Sequence, residues 1–353
     1  MIAIQQVVKT FKNAAGEFTV LKGVDLTIEK GQFVAIIGKS GSGKSTLLNM
    51  MTGIDRPTAG KVFIGATDLY AMSESKRSLW RGKNMGIVFQ FFQLLPMLTL
   101  LENVMLPMDY VGMYDVDERP RRALELLTLV GLEKQAGKLP LAVSTGQQQL
   151  AALARALAND PPLLVADEPT GNLDTRTADI VIELFQHFAE QGKTVVMVTH
   201  DPSLTERTSR TIIISDGEVV NETLAQAFPL LSHRQMLALT KQSVRQTVAP
   251  GKVVLSRDQH VDQLYIVVSG QAEVSIERKK HASAVARLAA GEFFGEVELL
   301  RGGKAVATVC AAPDASLELL AIPHEALLAA LKDSPLTEAA LTRIVQHRVG
   351  DGK

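Results

Sequence analysis

The chain has 353 residues, of which 46% are hydrophobic, with 37 Lys and Arg against 38 Asp and Glu. This length and apolar content suffice for two packed cores and exclude a disordered protein. The nearly balanced charge gives no basis for general attraction to nucleic acid or to an anionic membrane, so we expect no nucleic-acid partner.

Cysteine usage and hydropathy favour a reducing compartment. Cys310 is the single cysteine, which rules out an internal disulfide. The amino-terminal residues, MIAIQQVVKTFKN, lack the pattern of a secretory signal. No apolar run reaches the roughly 20 residues that a membrane-spanning helix needs. We therefore expect a cytoplasmic protein, and a membrane process that it serves must be completed by another chain.

A glycine-rich segment follows the first predicted strands. The first forty residues alternate short apolar runs with turns, and the last run, QFVAIIG, precedes a helical pattern, STLLNMMTG. The segment between them has the spacing of a P-loop, in which backbone N–H groups point at phosphate oxygens. A glycine-rich turn without a ligand is the alternative, but the flanking strand and helix argue against it. The predicted nucleotide-binding residues are Gly38, Ser40, Gly41, Ser42, Gly43, Lys44, Ser45 and Thr46.

Two adjacent carboxylates close a later strand. Residues 118–200 alternate helical patterns with apolar strands, which predicts a parallel sheet covered on both faces. The strand LLVAD ends at Asp167, and Glu168 follows it. Paired acids at a strand end are often only solvated, but the P-loop upstream favours a catalytic interpretation. We expect Ser45 and Asp167 to hold Mg²⁺, and Glu168 to polarise the water that attacks the γ-phosphate.

These motifs, in this order, resemble the nucleotide-binding subunit of an ATP-binding-cassette transporter over residues 1–225. The resemblance implies a P-loop ATPase domain with a mixed sheet and a helical subdomain. It places Gln90, in VFQFFQLLP, at the Q-loop, which contacts the metal and the membrane partner. Asp174, in GNLD, falls at the D-loop and His200 at the switch histidine. Phe11 stands where the family stacks an aromatic ring on adenine.

The signature segment departs from the family's usual LSGGQ. Here it reads Val143-Ser144-Thr145-Gly146-Gln147, with threonine in place of the first glycine. The resemblance implies that Ser144, Gly146 and Gln147 face the γ-phosphate bound to the other subunit. It therefore implies a homodimer with two equivalent sites, in which ATP joins the halves. Thr145 adds a side chain where the backbone approaches closely, which leaves the turnover rate open.

Several stretches, among them DRPTAGKV and ADEPTGNLD, are similar to the ATPase subunits of the lipoprotein-releasing and macrolide-exporter group. This implies an ATPase, with Lys44, Gln90, Glu168 and His200 as catalytic residues. The ATPase would lie at the inner face of the cell membrane and power a separate permease, for export or extrusion. Two alternatives remain: a soluble ATP-dependent switch or scaffold without transport, and a sensor that binds ATP without hydrolysing it.

The pattern changes after residue 217. Residues 222–247 predict one or two amphipathic helices, and short strands separated by glycine or charged turns follow, as in an antiparallel barrel. We place the domain boundary near Ala225. The fold expected is thus an α/β domain over residues 1–225 and an α+β domain with a β-barrel over residues 226–353.

The second domain resembles cyclic-nucleotide-binding domains. The resemblance rests on APGKVVLSRDQHVDQLYIVVSGQAEVSI, GEFFGEVELL and AVATV. It implies a pocket formed by Gly295, Glu296 and Lys304, in which Glu296 bonds a ribose hydroxyl. The position of the phosphate-pairing arginine carries Ala305. Two interpretations stay open, a cyclic-nucleotide receptor and a packing or dimerisation module, and either would regulate the ATPase.

Overall fold

A computed structural model describes the chain over residues 1–14, 16–278, 281–301 and 304–350. The chain forms two compact units, Met1–Val219 and Val220–Lys353. The boundary predicted near Ala225 falls a few residues later, inside a helix that belongs to the second unit. Leu224 of that helix is fully buried. Among the residues of the chain that the structure describes, no helix is both long and apolar enough to cross a bilayer.

The strands of the first unit form two sheets. They are β1 (Ile2–Asn13), β2 (Gly16–Ile28), β3 (Phe33–Ile37), β4 (Ala59–Ile64), β5 (Thr67–Asp68), β6 (Met85–Val88), β7 (Leu163–Asp167), β8 (Thr194–Thr199), β9 (Arg210–Ser215) and β10 (Glu218–Val219). One sheet is antiparallel, in the order β2-β1-β4-β5. The other, in the order β10-β9-β3-β8-β7-β6, is parallel except for β10.

The parallel sheet supplies the framework for the P-loop. Every residue of β3 and β8 is buried, as expected for central strands covered on both faces. Continuous apolar runs such as Phe33–Ile37 therefore form strands here without polar alternation. The carboxyl ends of β3, β7 and β8 lie at the same edge of the sheet, because these neighbouring strands are parallel. The predicted parallel sheet is confirmed.

The helices of the first unit cover this sheet and form a helical subdomain. They are α1 (Lys44–Thr52), α2 (Glu74–Asn84), α3 (Leu100–Val111), α4 (Glu118–Leu129), α5 (Thr145–Ala156) and α6 (Thr175–Glu190). In the subdomain, α3, α4 and α5 pack around fully buried side chains such as Val104, Leu127 and Leu153. The mixed sheet and helical subdomain that the resemblance implied are both present.

The second unit consists of two antiparallel sheets with helices, as predicted. In order, the sheets are β11-β18-β13-β16 and β12-β17-β14-β15. Its strands are β11 (Val244–Val248), β12 (Val253–Leu255), β13 (Gln263–Ser269), β14 (Ala272–Arg278), β15 (His281–Leu288), β16 (Phe293–Phe294), β17 (Thr308–Ala311) and β18 (Leu317–Pro323). Its helices are α7 (Glu222–Ala227), α8 (His233–Gln242), α9 (Glu296–Arg301), α10 (His324–Lys332) and α11 (Pro335–Gly350).

The predicted helical segment 222–247 is too long. Helix α8 ends at Gln242, and residues from Val244 onward pair with β18 as strand β11. The backbone of Ser243 is extended, with φ −77° and ψ 146°, which ends the helix. Edge pairing with β18 therefore overrides a local pattern that is compatible with a helix.

Candidate functional site

The P-loop connects β3 to α1. Gly41 and Gly43 have φ values of 77° and 102°, a region that glycine enters without steric cost. A Cβ atom added to Gly38 would collide with the carbonyl oxygen of Ile214 on the neighbouring strand. Lys44 is 6% exposed, and its Nζ donates to the carbonyl oxygens of Gly38, at 2.8 Å, and Lys39, at 3.1 Å. The side chain of Lys44 thus bonds the backbone of the loop that precedes it.

The electrostatics of this loop are set by Lys44 and the two carboxylates. Burial lowers the pKa of Lys44, while the charges of Glu168 and Asp167 act to raise it. Burial raises the pKa of Asp167, and the hydrogen bond from Ser45 opposes that rise. Ser45 Oγ donates to Asp167 Oδ1 at 3.1 Å. A hydroxyl and a carboxylate oxygen this close fit the hard oxygen ligands that Mg²⁺ prefers, with nucleotide phosphates and water completing its shell.

Glu168 lies between two of the other predicted residues. Its Oε2 accepts a hydrogen bond from Gln90 Nε2 at 3.0 Å, and its Oε1 lies 3.2 Å from His200 Nδ1. Its backbone is left-handed, with φ 45°, and its N–H donates to Val198 at 2.8 Å. Such a conformation costs a non-glycine residue roughly 1–3 kcal/mol and is typical of functional sites. In this structure Gln90 therefore contacts Glu168, while Ser45 contacts Asp167.

One cavity of about 780 Å³ is lined by Lys44, Ser45 and Glu168, but not by Asp167. Phe11 of β1 stacks on Phe18 of β2, with ring centroids 5.6 Å apart, and Lys9 Nζ lies 4.7 Å from the centroid of the Phe11 ring. The sequence indicated Phe11 but missed Phe18 and Val20, which become neighbours of the P-loop through the β1–β2 register. The residues that line the cavity are Phe11, Phe18, Val20, Ser40, Gly41, Gly43, Lys44, Ser45, Thr46, Gln90, Glu168 and His200.

The signature segment forms the amino terminus of α5. Ser144 is the N-cap: its Oγ accepts from the N–H of Gln147 at 3.3 Å, and the Gln147 side chain accepts from the N–H of Ser144 at 3.1 Å. A Cβ atom added to Gly146 would lie 3.0 Å from Thr177, so space is tight on that side. Asp174 caps α6 through Thr177. Among the residues described, neither the signature segment nor Asp174 lines the cavity of its own chain.

The candidate pocket of the second unit lies at the start of α9. Gly295 has φ 91°, and a Cβ there would approach Gln263 at 2.8 Å, so the backbone itself requires glycine. Glu296 is 2% exposed, and its Oε1 accepts from Arg348 of α11 at 2.7 Å. Burial raises the pKa of Glu296, and Arg348 opposes that rise. Arg348 also donates to the carbonyl oxygen of Phe293 at 2.7 Å.

A second buried carboxylate lies beside this ion pair. Glu298 Oε1 accepts from the backbone N–H of Val306 at 3.0 Å. Ala305 is 2% exposed and offers no charge, while Lys304 is exposed and forms an isolated bridge with His260. An anionic phosphate that entered here would meet carboxylates in a poorly solvated region, which is unfavourable. Among the described residues, Ala305 thus leaves a phosphate without the arginine that the resemblance implies, while Glu296 Oε2 is buried without a hydrogen-bond partner.

Comparison with known families gives two matches. The model described as "ABC transporter" matches residues 21–171, and the model described as "Cyclic nucleotide-binding domain" matches residues 245–334. The first match contains the P-loop, the signature segment and the Asp167–Glu168 pair. The second begins at the second residue of β11 and continues through β18, with α9 and α10 inside it. Each unit of the structure thus has its own family counterpart.

Three individual proteins are each similar to 61–65% of this chain. The chain is 45% identical over 214 residues to the lipoprotein-releasing system ATP-binding protein LolD of Aquifex aeolicus, spanning 61% of this chain and 95% of that protein. It is 44% identical over 232 residues to the ABC transporter ATP-binding protein MJ0796 of Methanocaldococcus jannaschii, spanning 65% of this chain and 99% of that protein. For the macrolide export ATP-binding/permease protein MacB of Syntrophobacter fumaroxidans, identity is 42% over 224 residues, 63% of this chain and 31% of that protein.

A solved structure shares the fold of the first unit. It is the dimeric, post-hydrolysis state of the cassette MJ0796 bound to ADP and phosphate, with a TM-score of 0.60 and 43% identity. The likeness covers 62% of this chain and 96% of that one.

Proposed function

Because the chain belongs to the ATP-binding proteins of ABC transporters, we propose that it hydrolyses ATP as a homodimer to drive a separate membrane permease. The carboxylate of Glu168 is the observation that supports this most. It lines the same cavity as the P-loop, between Gln90 and His200. A carboxylate so placed polarises the attacking water, an effect worth typically 10²- to 10⁴-fold in rate.

The other residues of the cavity bind the nucleotide. The P-loop N–H groups and the amino terminus of α1 bind phosphate oxygens, and Lys44 exchanges its bonds to the loop carbonyls for bonds to the β- and γ-phosphates. Ser45 of the cavity and Asp167, which it bonds, would hold Mg²⁺, and the ion would neutralise charge on the phosphates. Phe11 and Phe18 offer the apolar surface on which adenine stacks.

A second copy of the chain completes the site. Four of the predicted residues do not line the cavity of their own chain, namely Ser144, Gly146, Gln147 and Asp174. They are therefore free to face the nucleotide bound to a partner chain. Ser144 Oγ accepts from Gln147 and retains its own proton to donate to a phosphate oxygen. The positive end of α5 adds a favourable interaction with the γ-phosphate. The dimeric state of the related cassette MJ0796 supports this arrangement.

The permease binds beside the Q-loop. Phe91 and Met97 are 70% and 72% exposed, an unusual state for large apolar side chains on a loop. A cavity of about 460 Å³ lies next to this loop, with Phe89 and Tyr110 in its wall. An apolar helix of the permease at the inner membrane face would cover these groups. Since LolD and MacB are named for lipoprotein release and macrolide export, we propose an extruding permease here.

The second unit regulates the ATPase without a cyclic nucleotide. Arg348 already bonds Glu296, and Glu298 already occupies the Val306 N–H. One oxygen of Glu296 and one of Glu298 are thus bonded within the chain, while Glu296 Oε2 is buried without a partner among the described residues and Ala305 supplies no cation for a phosphate. The unit therefore acts as a packing or dimerisation module, which affects the ATPase through the stability of the dimer.

Reconstitution tests the coupling. A candidate permease would be placed in proteoliposomes, and phosphate release measured with and without the native chain. We expect the permease to stimulate ATPase activity and Met97→Ser to reduce the stimulation. Val116→Ser is the matched control, because Val116 is 71% exposed on another loop. Absence of stimulation, with copurification of soluble proteins alone, would favour the switch or scaffold instead.

A further inference from the structure

Arg155 is a half-buried cation bonded to backbone oxygens. It lies in the last turn of α5, and its Nη1 and Nη2 donate to the carbonyl oxygens of Gln93, at 2.6 Å, and Phe92, at 2.7 Å. Burial lowers the pKa of Arg155. Over the described ranges, no carboxylate lies within ion-pair distance of its guanidinium. Partial burial of a charge without a counter-ion is unfavourable, and these two charge-assisted bonds offset that cost.

Both carbonyl oxygens belong to the Q-loop, two and three residues after Gln90. Gln93 has φ 51°, a left-handed conformation that non-glycine residues rarely adopt. Further along, Asn103 of α3 bonds the N–H and the carbonyl oxygen of Leu95, at 2.7 and 3.1 Å. Arg155 therefore fixes the part of the loop nearest to Gln90, while Asn103 fixes its far end.

Helix α5 connects this contact to the signature segment. It begins beside Ser144 and carries Arg155 near its end, over a length of about 18 Å at 1.5 Å per residue. Leu153 and its neighbours are fully buried, so the helix is packed into the core of the helical subdomain. A shift at its amino terminus must therefore move Phe92 and Gln93 as well.

We propose that Arg155 is a positioning residue that holds Gln90 against Glu168 and links this contact to the signature helix. The inference rests on the proposed function, since it takes Glu168 as the group that activates water. A planar guanidinium can hold two successive carbonyl groups at once, whereas the ammonium of lysine is a flexible point charge. Arg155→Lys therefore keeps the charge and loses the geometry.

The matched control is Arg122 of α4. It also joins a guanidinium to backbone oxygens, those of Ala158 at 2.8 Å and Leu157 at 3.5 Å, but away from the Q-loop. We expect Arg155→Lys to lower kcat about tenfold, equivalent to ~1.4 kcal/mol, with KM for ATP within about twofold. Arg122→Lys should leave kcat within about twofold. Thermal melting of both variants identifies any loss that comes from stability alone.

A double-mutant cycle separates positioning from general damage. In a Gln90→Ala background, Arg155→Lys should lower kcat by less than about twofold, because the side chain that it positions is gone. If Gln90→Ala and Arg155→Lys instead lower kcat independently, so that their effects multiply in the double variant, the proposal is overturned. Equal kcat values for Arg155→Lys and Arg122→Lys would also overturn it. A native chain that hydrolyses no ATP would instead refute the proposed function.

A second variant keeps the proposal testable if Arg155→Lys does not fold. Glycine adopts the φ of Gln93 without strain, so Gln93→Gly should retain stability while freeing the turn. We expect a lower kcat that is again non-additive with Gln90→Ala. A native kcat in Gln93→Gly would overturn the proposal.

Discussion

Glu168→Gln separates the chemical step from nucleotide binding. Glutamine has nearly the shape of glutamate, and its amide can reproduce both contacts: its oxygen accepts from Gln90 Nε2, and its nitrogen donates to a neutral His200 Nδ1. The free energy of unfolding should therefore change by no more than about 1 kcal/mol. The carboxylate that polarises water is lost, which should lower kcat by about 10²- to 10⁴-fold, or ~3–5 kcal/mol of barrier.

The assay is phosphate release by the purified full chain with saturating MgATP, together with thermal melting in ATP. KM for ATP should stay near its native value, because the P-loop contacts are intact. Glu183→Gln is the control, since Glu183 is an exposed glutamate on α6. If Glu168→Gln keeps kcat within about tenfold of native, another group activates the water and the assignment of Glu168 is wrong.

Three further predictions concern the signature segment, the metal site and the second unit. Thr145→Gly should raise kcat a few-fold and cost at most about 1 kcal/mol of stability, because Thr145 is exposed in the first turn of α5; an unchanged kcat would show that its side chain obstructs nothing. Because burial raises the folded-state pKa of Asp167, its ionised form lowers stability at neutral pH. Asp167→Asn should therefore raise the melting temperature of the nucleotide-free chain at pH 8. The gain should fade as pH falls towards 3.8, the ordinary aspartate pKa, and a lower melting temperature at pH 8 would contradict this. Millimolar cyclic AMP should leave the melting of the native chain unchanged, and a saturable upward shift would show that the pocket binds it.

The sequence predicted best what local motifs determine. The P-loop lies between a buried strand and a helix, and both features are visible within about twenty residues of sequence. The positions of Asp167 and Glu168 followed in the same way from the end of an apolar strand. By contrast, Phe18 reaches the cavity through the antiparallel register of β1 and β2, where Phe11 pairs with Phe18. Register depends on the packed sheet, so the sequence offered no clear signal for it.

Contacts between distant segments account for the rest. Arg348 lies 52 residues after Glu296, yet it bonds one oxygen of that carboxylate. No pattern around Phe294-Gly295-Glu296 indicates this, so the sequence left a nucleotide pocket and a packing or dimerisation module both open. The contacts of Arg155 were unpredictable for the same reason, because its partners lie 62 and 63 residues earlier in the chain. Strain at Glu168 is equally invisible, since a positive φ at a non-glycine residue results from the surrounding structure.

The most direct test is the mass of the Glu168→Gln chain in solution, measured by light scattering with saturating MgATP. One chain has a mass of 38.2 kDa. If two chains enclose two nucleotides and hydrolysis separates them, the hydrolysis-deficient chain should double its mass in ATP and return to the nucleotide-free value when ATP is removed. A mass of 38.2 kDa with ATP fully bound would contradict the shared site.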